Sequence, residues 1–187
     1  MGDYAGRNSE GHHRILDDDP VAIALLKEEH HIFRTLFDKA QEQDGDALLV
    51  TAREICLRLG VHMTIEEEFL YPALKALGDE EKDEVNEGIV EHASGKALCA
   101  EIEQLNGDEE LFQSKVHVLG EETVHHIDEE DAELFETAKK AANDGRIDLD
   151  ALGKRMRARQ KELYDRIAET GEMGPTREAE TEEIPSR

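Results

Sequence analysis

The chain has no tryptophan, three tyrosines, five phenylalanines, four prolines and two cysteines in 187 residues. Cys56 and Cys99 form neither a spaced ligand motif nor a disulfide framework. Each sits in an apolar helical stretch, so two free buried thiols in a reducing compartment are expected. No stretch approaches the roughly 18 apolar residues that a membrane-spanning helix needs. The opening MGDYAGRNSEGHHRILDDD lacks the apolar run of a secretory signal, and Gly6 stands where a myristoylation signal wants Ser or Thr. A cytoplasmic protein is expected. Cations are scarce too: 22 Lys and Arg face 46 Asp and Glu, a net charge of -24. That balance argues against nucleic acid and anionic membrane as partners. No Ser-His-Asp array, phosphate-binding loop or nucleotide fingerprint is present, so no catalytic residue is assigned.

Helix-forming sequence is what the chain has in quantity. Asp19 and Pro20 offer an N-cap and a first-turn proline, opening a helix over about residues 20–43. Further helices are expected over about 46–77, 81–105 and 109–143, with breaks at Gly45, Gly78 and Gly107. Pro72 should kink the second helix or end its regular part. Asp148 or Asp150 caps a last helix reaching about residue 169. The fold class is all-α: an up-down-up-down four-helix bundle with an additional C-terminal helix. The expected divisions are a flexible arm over 1–18, the bundle over 19–143, the extra helix over 148–170 and a disordered acidic tail over 171–187. The extra helix either packs outside the bundle or serves an oligomer or another protein partner; both readings stay open.

Two stretches repeat one pattern: HMTIEEEFLY from residue 62 and HHIDEEDAELF from residue 125. On a helical wheel with His62 at zero, Ile55 falls at about 20°, Glu66 at about 40° and Phe69 at about -20°. His62 and Glu66 therefore share the apolar stripe. His126 and Glu130 do the same beside Phe112 and Leu119, while His30 and His92 lie on the inward faces of the first and third helices. Two buried carboxylates in a bundle core are costly unless something neutralises them. An i,i+4 His–Glu pair can close on one ion. His30 to His62 spans 32 residues and His92 to His126 spans 34, so two hairpins each supply a His and then His-x-x-x-Glu. Four imidazoles and two carboxylates exceed one tetrahedral zinc and suit two bridged ions. Iron fits that donor set best, with manganese or zinc ranked below it.

Other candidates are weighed against this set. His125 lies about 100° from His126, and Asp131 offers a five-residue partner, but His126 with Glu130 reproduces the second helix. Tyr71, about 180° from His62, reads as outer packing. Glu67 and Glu68 read as solvent charges, with Glu67 able to approach the site. His31 reads as a surface residue or a support behind the ligands, His117, nearly opposite His126, reads as no ligand, and His12 and His13 lie in the arm. Cys99 shares the face of His92 as core packing. Glu28-x-x-His31 and Glu122-x-x-His125 offer a ferritin-like rival, but the second helix has no matching motif.

The pieces KEEHHIFRTLF, HMTIEEEFLYPAL, VEHASGKAL and HHIDEEDAELF, in that order over residues 19–140, resemble the hemerythrin-like family of HHE cation-binding domains. The resemblance implies a non-haem di-iron site: two iron ions held by His30, His62, Glu66, His92, His126 and Glu130. They would be bridged by oxo or hydroxo and by the two carboxylates. The sequence departs from the oxygen-carrying members, which have a second His on the third helix. Gly88 and Lys96 occupy the corresponding places. Gly88 is expected to leave room for water or a small ligand, which disfavours reversible oxygen carriage. The implied partner is a small diatomic molecule or peroxide that is bound, sensed or consumed; the sequence does not decide whether the protein is an enzyme. The alternatives are a metal-stabilised interaction or stress protein without redox turnover, and a ferritin-like iron-handling bundle.

Overall fold

A computed structural model describes residues 19–173. The expected arm over 1–18, with His12 and His13, and positions 174–187 of the expected tail lie outside the described residues. The elements are α1 (Val21–Gln41), α2 (Gly45–Ile65), α3 (Tyr71–Lys75), α4 (Asp79–Glu103), α5 (Phe112–Glu129), α6 (Phe135–Asn143) and α7 (Leu149–Thr170). A π-helical turn, Glu66–Leu70, joins α2 to α3, and a second, Glu130–Leu134, joins α5 to α6. α2 with α3 forms the expected second helix, and α5 with α6 the fourth. α1 packs on α2 and α5, and α4 on α2 and α5. The fold is all-α, as expected, with a distinct C-terminal helix.

The π-turns are the main departure from the expected helices. In each, the amide that follows the turn reaches back five residues: Tyr71 N–H to Glu66 O, and Phe135 N–H to Glu130 O. Such turns insert one residue into an α-helix and shift the phase of everything beyond it. Pro72 falls in the first turn of α3, just after the regular helix is interrupted. It is not a general cause, because the second π-turn is followed by Glu136 at the equivalent place.

Two apolar clusters fill the interior. One includes Leu26, Ile65, Leu70, Val85, Leu134 and Phe135. The other includes Phe33, Leu59, Cys56, Cys99, Phe112 and Leu119. On every bundle helix the inward His falls between them in sequence: His30 between Leu26 and Phe33, His62 between Leu59 and Ile65, His92 between Val85 and Cys99, His126 between Leu119 and Leu134. A polar layer thus separates two apolar half-cores. Both cysteines are buried and unbridged, as expected.

α7 lies against α1 and α2 of its own chain. It buries Leu152, Gly153, Met156 and Leu163 there, so this part of its apolar face is committed within the chain. Gly153 permits the contact: a Cβ there would stand 2.2 Å from the Ala22 nitrogen. The two helices also share caps. Asp148 accepts the Ala151 N–H at 2.9 Å, whereas Asp150 accepts the Val21 N–H at 2.9 Å across the crossing. Asp19 is not the side-chain cap of α1. Its carboxylate is drawn instead to Lys27 (2.7 Å) and Lys139 (3.6 Å), and α1 begins one residue later than expected.

Candidate metal centre

The six residues singled out from the sequence converge in the polar layer. His30, His62, Glu66, His92, His126 and Glu130 are all between 0 and 7 % exposed. Donor atoms of His30, His62, Glu66 and Glu130 lie within 4.8 Å of one another, and so do those of Glu66, His92 and His126. Glu66 belongs to both groups. Its Oε2 is 3.2 Å from His62 Nε2 and 3.4 Å from His92 Nε2. Glu130 Oε2 lies 3.3 Å from His30 Nε2 and 3.7 Å from His126 Nε2. His92 Nε2 and His126 Nε2 approach to 3.0 Å.

Two imidazole nitrogens, His30 Nε2 and His62 Nε2, and three carboxylate oxygens, both of Glu66 and Glu130 Oε2, are enclosed without a hydrogen-bond partner. Burying such groups unsatisfied is expensive. Their convergence fits cations, since imidazole and carboxylate are ligands for first-row metals. The site is thus a buried His/Glu cluster able to chelate two metal ions.

Each imidazole is turned inward by a carboxylate on its outer nitrogen. His30 Nδ1 meets Asp131 at 3.0 Å, His62 Nδ1 meets Glu29 at 3.2 Å, His92 Nδ1 meets Glu67 at 3.0 Å and His126 Nδ1 meets Glu91 at 2.7 Å. Such partners fix ring orientation and raise the basicity of the inner nitrogen. The donors form a closed circuit. Glu29 on α1 serves α2, Glu67 after α2 serves α4, Glu91 on α4 serves α5, and Asp131 after α5 serves α1. The circuit is anchored from outside: Lys96 holds Glu67 at 2.6 Å, Arg34 reaches Asp131 at 3.3 Å, and Gln160 of α7 donates to Glu29 at 2.8 Å.

Among the protein groups alone, the charges are unequal. Burial works to lower His30, but the Asp131 and Glu130 carboxylates outweigh it and raise it from 6.5 to about 9. Burial and the charge of Glu130 push Glu66 from 4.5 to about 8. Burial would raise Glu130 as well, but His126 and His30 hold it well below the usual carboxylate range. Of the two central carboxyls, Glu66 is therefore the one that keeps its proton when no cation is bound.

The halves differ at one aromatic position. Phe135 stacks on His30, centroids 5.4 Å apart, and Tyr71 stacks on His92 at 5.2 Å. Both follow the inward Glu by five residues, but only Tyr71 carries a hydroxyl. It donates to Glu130 Oε1 at 3.0 Å and lies 3.2 Å from His92 Nε2. Tyr71 is thus part of the site and not outer packing. The π-turn removes about one residue of rotation between His62 and Tyr71, moving Tyr71 from about 180° to about 80° on the wheel. The Tyr71 hydroxyl also takes up space left by Gly88, where a Cβ would approach it to 2.8 Å.

The other candidates divide into readings that change and readings that stand. Glu68 is buried, not solvent-facing, and accepts from Arg159 of α7 at 2.8 and 3.0 Å. Glu67 approaches the site through His92, and Asp131 serves His30 rather than pairing with His126. His31, His117 and His125 are exposed. The Glu-x-x-His pairs face outward too: Glu28 meets Arg157 at 3.4 Å and Glu122 meets Ser94 at 3.0 Å. The sequence reading missed Glu29 and Glu91 altogether. Each directly precedes an inward His, and this repeated Glu-His dipeptide was the available signal.

A cavity of about 90 Å³ reaches the layer between α4 and the second π-turn, with Tyr71, Gly88, His126 and Glu130 in its lining. No helix among the described residues is long and apolar enough to cross a membrane. Comparison with curated proteins and with solved structures returns no match. The family model for the Hemerythrin HHE cation binding domain matches residues 21–138, from the start of α1 into α6 and across every inward His and Glu of the layer. The chain belongs to the hemerythrin HHE cation-binding domain family.

Proposed function

We propose that the protein is a non-haem di-iron protein that binds, senses or reacts with oxygen, peroxide or nitric oxide. The observation that carries this reading is the set of enclosed, partnerless donor atoms of His30, His62, Glu66 and Glu130, with Glu66 shared between two ligand groups. One ion would take His30, His62, Glu66 and Glu130; the other would take Glu66, His92 and His126. Iron bound there supplies electrons and an open coordination position for a small ligand.

The chain's own residues do the rest. The four outer carboxylates hold the rings in register. The apolar half-cores exclude bulk water on both sides. The three-ligand group is the less complete one, and the cavity reaches its His126 as well as Glu130 of the other group. Small-ligand chemistry therefore belongs on that side. The Tyr71 hydroxyl, 3.0 Å from Glu130 and 3.2 Å from His92, can give or take a hydrogen bond as charge changes there. A site with an open position next to a cavity suits sensing or turnover better than a purely structural ion.

Anaerobic loading with ferrous iron, metal counting and visible spectra before and after air test this reading. The expected result is near two irons per chain, with new charge-transfer absorption in air. Filling without any change in air would leave a metal-stabilised fold without redox chemistry.

A further inference from the structure

The layer is enclosed by helices, so an ion needs a way in. The cavity offers one, and among the described residues its charged walls are carboxylates. Glu84, Glu87, Glu91, Glu129 and Glu133 surround it, and among the described residues no Lys or Arg lines it. Crowding is evident at Glu84, which burial and then the charges of Glu133 and Glu81 hold above the ordinary carboxylate range. Deeper in the lining stands Glu130, whose Oε2 is enclosed without a partner in a residue only 3 % exposed. At the rim, Glu91, His125 and Glu129 place one donor atom each within 4.8 Å of one another. His125 Nδ1 already lies 3.3 Å from Glu129 Oε2.

We propose that Glu91, His125 and Glu129 form an external divalent-cation site that captures a hydrated first-row metal ion and passes it through the acidic cavity to the buried layer. The proposal rests on the reading of that layer as a metal centre. Imidazole with two carboxylates is a donor set for such ions, and three protein ligands leave positions for retained water. Glu91 connects the two sites: the rim group includes it, and its Oε2 also accepts from His126 at 2.7 Å. The carboxylates between rim and layer replace water ligands as the ion loses them. A single-sign cleft also raises the local concentration of cations and their rate of capture. Gly88 keeps the wall low beside Tyr71 and His126, since a Cβ there would come within 2.8 Å of the Tyr71 oxygen and 3.5 Å of His126 Cε1. His125 thus has a role that its outward direction alone does not suggest.

The test uses the full chain and leaves Glu91 intact, because it also orients His126. Anaerobic uptake of ferrous iron is followed by stopped flow in the parent chain and in a His125→Ala/Glu129→Gln variant. Both residues are exposed, so folding is preserved. The expected result is uptake slowed by roughly tenfold or more, in line with loss of electrostatic capture, with final iron content unchanged. Equal uptake rates overturn the proposal. Binding of Mn(II) to a Glu66→Ala chain, read by electron paramagnetic resonance, separates the sites. One ion per chain that disappears when His125→Ala/Glu129→Gln is added supports the rim site even if the buried layer holds no iron. No bound Mn(II) rejects it, whatever the buried layer does.

Discussion

At each inward histidine the outer nitrogen is taken by a carboxylate: Asp131 on His30, Glu29 on His62, Glu67 on His92, Glu91 on His126. Replacing Glu29 by Gln keeps the shape but removes the charge. Metal affinity should fall about 10- to 100-fold, as for other outer partners of metal-binding histidines, and competition with a chelator measures it. The shared ligand makes a sharper prediction. His92→Ala should leave about one ion per chain in the four-ligand group, whereas Glu66→Ala should leave none in the buried layer; metal analysis after desalting distinguishes them. Protonation adds a third. In chelator-stripped protein, His30 is raised from 6.5 to about 9 and Glu66 from 4.5 to about 8. Between 6.5 and about 8 the folded chain holds protons that the unfolded chain has released. Stability of the stripped protein therefore falls as pH rises through that window. Metal affinity rises over the same window, because both groups must lose protons to ligate. Thermal melts of stripped and loaded protein across the window check the sign. The six inward residues were legible in the sequence because a single period of the helix places them. Which outer carboxylate serves which His was not, because each lies on a different helix from the His it serves, and such pairing has no period within one helix.

Among the elements, the π-turns mark the limit of reading by period. The wheel was right for His62, which precedes the first turn, and for Glu66, which opens it, and wrong for Tyr71, which follows it. An inserted residue leaves no compositional mark, and Pro72, the one visible irregularity, has no counterpart in the second turn. The C-terminal helix was visible as an element but not in its placement. Two features fix it, and each can be broken. Gly153→Ala puts a Cβ into the backbone of α1, 2.2 Å from a nitrogen, and should displace α7 and lower the melting temperature. Arg159→Ala removes the buried guanidinium that meets Glu68 at 2.8 and 3.0 Å, and should lower stability. Chemical denaturation of the loaded chain measures both. Because Gln160 on the same helix supports Glu29, Gly153→Ala should also loosen metal binding, although no atom of α7 joins the cluster.

The molecule as a whole is two apolar half-cores divided by a charged layer. The bundle class followed from long helical stretches with glycine-marked breaks, and the layer from two repeated His-x-x-x-Glu motifs. Such a layer opposes folding unless cations satisfy it, so bound metal should act as a folding ligand. At a thousandfold excess over its dissociation constant, one ion adds about 4 kcal/mol. Chelation should therefore lower the melting temperature, and re-addition of ferrous iron should restore it. The most direct measurement is the Mössbauer spectrum of protein loaded with iron-57 under argon and then exposed to air. Two ions that share Glu66 but differ in their other ligands predict two unequal quadrupole doublets of equal area, with a diamagnetic ground state at low temperature. A single paramagnetic ferric component, at one iron per chain or fewer, would contradict the two-ion centre.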